Sequence, residues 1–269
     1  MENEIISVIR QYAESEGLLP SQVEVLGELG NGLINSSVLL KVRGGKQVLR
    51  LRKPLPERIP RDWNTELYAM RLASDADLSP NVRFVSENPT AMILEYGGVA
   101  ETNRLSSKQL SRLAEALAKM HSLKFEPNRL PRQEYRCLVE SYLELASARH
   151  NFNDRLRACT QEMIELADWC NQATGSYITH HDLTEGNILW QNERVRFIDW
   201  EYVCAGNPEF DLATVVKAYG LNIEESAVLR SNYNSSGGFA RMNSAEQTRM
   251  KRFIELLELL WTAAISAGE

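Results

Sequence analysis

Eight residues, His180-His181-Asp182-Leu183-Thr184-Glu185-Gly186-Asn187, carry the densest set of reactive side chains in the sequence, and Asp199 follows twelve residues later. Ile188-Leu189-Trp190 and Val195-Arg196-Phe197-Ile198 read as short apolar strands around a polar turn, Gln191-Asn192-Glu193-Arg194. A hairpin of that symmetry sets Asn187 opposite Asp199, with Cβ atoms about 5 Å apart. An amide oxygen and a carboxylate at that spacing can share a hard cation such as Mg²⁺. Asp182 lies on the loop leading in, where it can take a proton from an incoming hydroxyl. Base, metal amide and metal carboxylate, in that order, are the parts needed for phosphoryl transfer from ATP.

The elements around these residues follow from periodicity. Ile5, Ile6, Val8, Ile9 and Tyr12 form a helical stripe over residues 3–16 that stops near Gly17. Strands are expected from Val23, over 37–42 and over 47–52, with Gly44-Gly45 as a two-residue turn between the last two. Asp62 can cap a helix to about Ala73, and 82–86 and 91–95 read as two more strands, completing a five-stranded lobe. Ser106 and Gln109 make a capping box that opens the next helix, and His121 closes it as a partner of the helix dipole. Further helices are expected over 134–149, 154–172, from Pro208, over 223–233 and over 244–266.

His180-x-Asp182-x4-Asn187, with Ile198-Asp199-Trp200-Glu201-Tyr202 beyond the hairpin, resembles the aminoglycoside phosphotransferase and choline kinase superfamily. Asp-Trp-Glu-Tyr resembles its choline, ethanolamine and thiamine kinase branch. The resemblance implies an α+β, bilobal, protein-kinase-like fold: a β-rich lobe over residues 1–97, a mainly helical lobe over 98–269 and the site between them. It implies ATP and Mg²⁺, with Asp182 as base and Asn187 and Asp199 as metal ligands. His180 is expected to brace the loop, while His181 stands where relatives often have Gly or Asn. Gly30-Asn31-Gly32 stands at the family's nucleotide loop, where glycines let backbone N–H groups approach phosphates. Arg50 matches its strand cation and Glu66 the helix glutamate that pairs with it. Period-two alternation puts Arg52 on the same face as Arg50. Glu95 and Tyr96, ahead of Gly97-Gly98, match the hinge that binds adenine. By the same resemblance Glu201 serves the acceptor.

Acceptor chemistry is read from charge and rings. Asp182, Glu201, Glu209 and Asp211 concentrate negative charge near the site, and Trp200, Tyr202 and Trp261 offer aromatic faces for a cation. Asp211 and Trp261 therefore join Glu201 as candidate contacts to a small cationic alcohol, of the thiamine or choline and ethanolamine kind. An aminoglycoside acceptor and a nucleotide-binding pseudokinase are the competing readings. A protein kinase is disfavoured because Pro208 and a helix follow Asp199 within about ten residues, leaving no long activation segment. No G-x-S-x-G elbow supports a serine hydrolase, and the paired histidines lack further ligands at zinc spacing.

Composition bounds the partners. The 269 residues are 43% hydrophobic and 25% charged, with net charge −6, which argues against a nucleic-acid surface. Four scattered cysteines without C-x-x-C spacing suit a reducing compartment. The acidic start and the lack of a long uncharged apolar run lead to a cytoplasmic protein without membrane spans.

Overall fold

Helix α1 (Glu2–Ser15) opens the chain, and the computed structural model describes residues 2–31, 35–53, 62–88, 90–172 and 177–266. α1 buries Val8, Ile9, Tyr12 and Ala13 against Val38, Leu40 and Leu49 of the sheet behind it. It stops at Gly17, whose φ of +64° lets Leu18 N–H reach back to Ala13 O at 2.7 Å. Strands β1 (Val23–Asn31), β2 (Asn35–Val42) and β3 (Gly45–Arg52) follow. Helix α2 (Trp63–Asp75) comes next, then β4 (Val82–Val85) and β5 (Ala91–Glu95). The five strands form one antiparallel sheet in the order β1-β2-β3-β5-β4. Asp62 caps α2 as its type predicts, accepting from Asn64 N at 3.2 Å and Thr65 N at 2.9 Å.

One turn differs from expectation. Val42 pairs with Gly45, so the two-residue turn is Arg43-Gly44, not Gly44-Gly45. Arg43 takes φ +50° and Gly44 φ +80°, the pair of positive values this tight hairpin needs. This register keeps Val38, Leu40 and Val42 on the buried face, and that burial outweighs the cost of a left-handed arginine.

Beyond the sheet come β6 (Val99–Ala100), α3 (Ser107–His121), α4 (Tyr135–Ala148) and α5 (Asp154–Gln172). Short strands β7 (Tyr177–Thr179), β8 (Ile188–Gln191), β9 (Arg194–Phe197) and β10 (Cys204–Gly206) carry the site. Helices α6 (Pro208–Ala218), α7 (Ile223–Ser235) and α8 (Ser244–Ile265) complete the fold. The Ser106–Gln109 capping box is formed at the start of α3. Tyr135, Val139, Met163, Phe253 and Leu260 join α4, α5 and α8 in one apolar cluster. A second cluster runs from Met70 of α2 through Leu113 and Leu117 of α3 to Ile188, Phe197 and Trp200. The β-rich and helical parts therefore share buried surface beneath the hairpin. Among the described residues no helix is long and apolar enough to cross a membrane.

The β8–β9 hairpin also corrects an expectation. Ile188 pairs with Phe197 and Gln191 with Arg194, which leaves only Asn192-Glu193 as the turn. Asn192, at φ +59°, supplies the left-handed residue that closes it so tightly. The register moves by one, so Asn187 lies across from Ile198, whose N–H donates to Asn187 O at 3.0 Å, and not from Asp199.

Gly98, at φ +122°, lies against β8 so closely that a Cβ there would collide with the Trp190 carbonyl oxygen. Gly98→Ala should therefore lower unfolding stability by about 1–3 kcal/mol, measured as a shifted urea midpoint at unchanged slope. An unchanged midpoint would contradict the close packing of this connection.

Candidate active site

β7 delivers the chain to His180, and Asp182 follows on an irregular loop that ends in the 3₁₀ turn Glu185–Asn187. Asn187 Nδ2 donates to Asp182 O at 2.8 Å and to Asp182 Oδ2 at 2.7 Å. The amide nitrogen is thus committed to the loop, which leaves the amide oxygen as an acceptor these two bonds do not use. Asp199 follows β9 in left-handed conformation, φ +67° and ψ +58°. That turn, and not cross-strand pairing, brings its carboxylate to the site.

Arg50 of β3 meets the two acidic elements. One of its nitrogens, Nη1, pairs with Glu66 Oε1 of α2, while Nη2 pairs with Asp199 Oδ1 and lies 3.6 Å from Glu201 Oε2. Arg52 shares this face, as period-two alternation predicts. Its Nη2 stops 3.3 Å from Glu66 Oε2, and its guanidinium lies 5.1 Å from the Trp63 ring centroid. Burial would lower the Arg50 pKa, but Asp199 and Glu66 outweigh it and hold the guanidinium above its ordinary value. Burial, and then the charges of Asp199 and Glu201, push the Asp182 carboxyl well above the usual carboxylate range. Asn35, at the start of β2, was missed in the sequence. Its Nδ2 lies 3.2 Å from Asp199 Oδ1 and 3.4 Å from Glu201 Oε2. Only its position just after the glycine loop hinted at this.

Of the carboxylates expected near the site, Asp211, a candidate acceptor contact, and Glu209, counted only toward the local charge, lie elsewhere. Asp211 is fully buried under the loop, accepting from His180 N at 2.7 Å, His181 N at 2.8 Å and His121 Nε2 at 3.1 Å. Three donors hold it beneath the loop, so it cannot contact an acceptor. Burial opposes its ionisation, yet the His121 hydrogen bond and the neighbouring histidines hold its pKa below the ordinary value. His121 is correspondingly no simple dipole partner, since its Nδ1 also meets Tyr233 OH at 2.8 Å. Glu209 is buried as well, accepting from Arg241 N at 2.6 Å, Met242 N at 2.8 Å and Arg230 Nη2 at 2.9 Å. His180 Nε2 donates to Ile198 O at 2.9 Å, tying the loop to the end of the hairpin. His181, at φ +66°, stacks 4.3 Å from the Phe210 ring and lies 3.2 Å from Tyr135 OH.

A cleft of about 1700 Å³ runs between the sheet and the helices. Gly30, Arg50, Glu95 and Tyr96 line it on one side, and Asp182, Asn187, Asp199, Glu201 and Trp261 on the other. Gly32 lies outside the described residues, and Asn31 is described only as the backbone end of β1, paired with Ser36. Glu95 Oε2 accepts from Asn81 at 2.8 Å, and Oε1 pairs with Arg83. Its side chain is thus engaged at the sheet surface. Trp261 Nε1 donates to Tyr202 OH at 3.0 Å. Trp200 is buried and packs beneath the hairpin, donating to Phe197 O at 3.0 Å.

Among the described residues no three His, Cys, Asp or Glu side chains converge as a self-sufficient metal centre. A metal carried by phosphates needs fewer protein ligands: Mg²⁺ commonly uses one or two carboxylates with substrate oxygens. The Asn187 amide oxygen and the Asp199 carboxylate are hard donors of that type. Glu66, Asp199 and Glu201 also bring more negative charge to Arg50 than Arg50 alone balances. The residues fit a Mg²⁺–phosphate group.

Fold and cleft together define a phosphotransferase of the kinase-like class. Residues 25–251 match the family model described as the phosphotransferase enzyme family, and the chain belongs to that family. Protein LicA of Haemophilus influenzae is 26% identical over 249 residues, covering 86% of this chain and 70% of that one. The structure of choline kinase LicA from Streptococcus pneumoniae superposes with a TM-score of 0.77 at 18% identity, over 97% of this chain and 90% of that one. A structure of LicA in complex with AMP gives 0.73 at 18% identity, over 96% and 89%.

The buried histidines set an acid limit on stability. Burial lowers the pKa of His180, and that of His181 to about 4, so both are neutral in the folded chain at pH 7. The unfolded chain takes up their protons near pH 6.5, which the folded chain resists. Stability is therefore full above about pH 6.5 and is lost as pH falls toward 4. His181→Asn should flatten part of that decline in urea midpoints measured from pH 7 to 4.5, and an unaltered pH profile would contradict the assignment.

Proposed function

We propose that the protein is an ATP- and Mg²⁺-dependent kinase that transfers the γ-phosphoryl group to the hydroxyl of a small cationic alcohol, of the thiamine or choline and ethanolamine kind. The observation that carries this reading is the meeting of Arg50, Asp199, Glu201 and the Asn187-held Asp182 at one point of the cleft. Residues 1–97 would hold the nucleotide and residues 98–269 the catalytic groups and the acceptor.

In this reading Asp182 orients the acceptor hydroxyl and receives its proton. A raised pKa suits that role, because a carboxylate destabilised by burial and by Asp199 holds a proton more readily. Arg50, fixed by Glu66, forks onto phosphate oxygens. Asn187 and Asp199 would hold Mg²⁺, which when bound neutralises charge on the phosphates. Gly30, Asn31 and Gly32 are assigned to phosphate binding, and Glu95 and Tyr96 to the adenine edge. Glu201 and Trp261 serve the acceptor's cationic end, supported by their place on the cleft wall. The AMP bound to LicA and the choline kinase description of its pneumococcal counterpart support nucleotide use and a cationic alcohol. Four free cysteines suit work in a reducing, cytoplasmic setting.

ADP release with Mg-ATP, measured against thiamine, choline, ethanolamine and an aminoglycoside, tests the reading. Turnover of one of the first three is expected, whereas exclusive turnover of the aminoglycoside would replace the acceptor class. Asp182→Ala should reduce turnover by about 10²–10⁴-fold with the fold intact, and activity that survives would remove Asp182 as the base. Asp199→Ala should abolish Mg²⁺-dependent turnover, and full activity in that variant would remove Asp199 as a ligand.

A further inference from the structure

The wall of the cleft where α6 meets α8 carries an ion pair that the catalytic assignment does not use. Lys217 Nζ of α6 pairs with Glu258 Oε2 of α8, and both residues line the cleft. Their side chains are 27% and 50% exposed, so the pair is open to solvent and to a ligand. Glu258 lies three residues before Trp261, one helical turn away on the same face of α8. Trp261 in turn reaches Tyr202, which adjoins Glu201. The Glu258 charge also reaches Asp182, raising its pKa alongside Asp199 and Glu201. A carboxylate, an indole and the proposed base thus lie along one stretch of wall.

The chemistry of the pair is specific. A lysine head group is a primary ammonium, with three N–H donors and no acceptor. Glu258 holds that group through a charge-assisted hydrogen bond. A quaternary ammonium has no N–H to offer a carboxylate, and it is held chiefly by aromatic faces. A protonated amino alcohol can make the same bond that Lys217 makes.

Building on the cationic-alcohol reading, we infer that Glu258 anchors the acceptor's ammonium, that Lys217 competes for it from within the protein, and that the site selects acceptors bearing N–H donors over quaternary ones. Exposed ion pairs are weak, so displacing Lys217 costs the acceptor no more than about fivefold in affinity. The α6–α8 contact does not depend on the pair, since Phe210, Ala213, Ile254 and Leu260 already close an apolar seam there.

Steady-state ADP release with ethanolamine and with choline, at saturating Mg-ATP, tests this in the wild type, Lys217→Met and Glu258→Gln. The wild type should favour ethanolamine over choline by about tenfold or more in kcat/KM, as expected for an unmatched hydrogen-bonding group. Lys217→Met should lower the ethanolamine KM by about threefold to fivefold, a larger change than that in kcat. Glu258→Gln should raise the ethanolamine KM by about tenfold while moving the choline KM little. Thermal unfolding of both variants separates these effects from loss of fold. If the wild type turns over ethanolamine or choline while both variants keep its KM values, the pair is only a tie between helices. The inference then falls and the cationic-alcohol reading stands. Preference for choline in the wild type overturns the selection for N–H donors. Absence of turnover with both ethanolamine and choline removes this inference, and turnover of thiamine alone would then leave the cationic-alcohol reading standing.

Discussion

A guanidinium taken out of water is the constraint on which the rest of the site depends. Arg50 is 7% exposed, and an ion of that kind is tolerated in a protein interior only when it is paired and hydrogen-bonded. Its partners come from different parts of the chain: Glu66 on α2, Asp199 after β9 and Glu201 in the turn beyond. Satisfying one cation therefore fixes the sheet, the helix above it and the segment beyond the hairpin in a single arrangement. The same contacts leave the cleft rich in carboxylates, which is the electrostatic setting that a metal-bound polyphosphate requires.

A second buried charge plays the equivalent part on the helical side. Asp211 accepts the N–H groups of two successive residues, His180 and His181, and so fixes the backbone immediately before Asp182. His121 and Tyr233 extend this anchor into α3 and α7. The proposed base is thus positioned by its backbone from below and by Asn187 from the side. Arg50 above and Asp211 below meet through the short span from His180 to Asp199, with His180 bonded to Ile198 between them. The two lobes are linked at the site itself as well as through the chain.

Much of this was legible in the residues. Helical stripes, the Asp62 and Ser106 caps and the alternation in β2 and β3 are local signals, and the elements they predict are present. The Asp182, Asn187 and Asp199 triad was legible as a grouping, though for a partly mistaken reason. The grouping arises from a left-handed turn at Asp199, while the hairpin register differs by one residue. The turn at Arg43-Gly44 was misread because the usual cue is the position of glycine, and the turn at Asn192-Glu193 because it was read as the whole polar run; tertiary packing chose both registers. Asp211 and Glu209 were misread because a carboxylate in a first helical turn looks solvated. Their partners lie between 21 and 90 residues away and leave no local trace. Asn35 escaped notice for the same reason, its partners being more than 160 residues distant.

The most direct test of the account is nucleotide affinity, measured by calorimetry on the wild-type protein with ATP in the presence of Mg²⁺ and again with the metal chelated. Asp199 and Glu201 beside Arg50, with Asp182 on the same cleft wall, oppose a bare polyphosphate, so tight binding should require Mg²⁺ and fall by at least about tenfold without it. Equal affinity in both conditions would contradict the account, because the phosphates would then have to be held away from Asp199 and its neighbours.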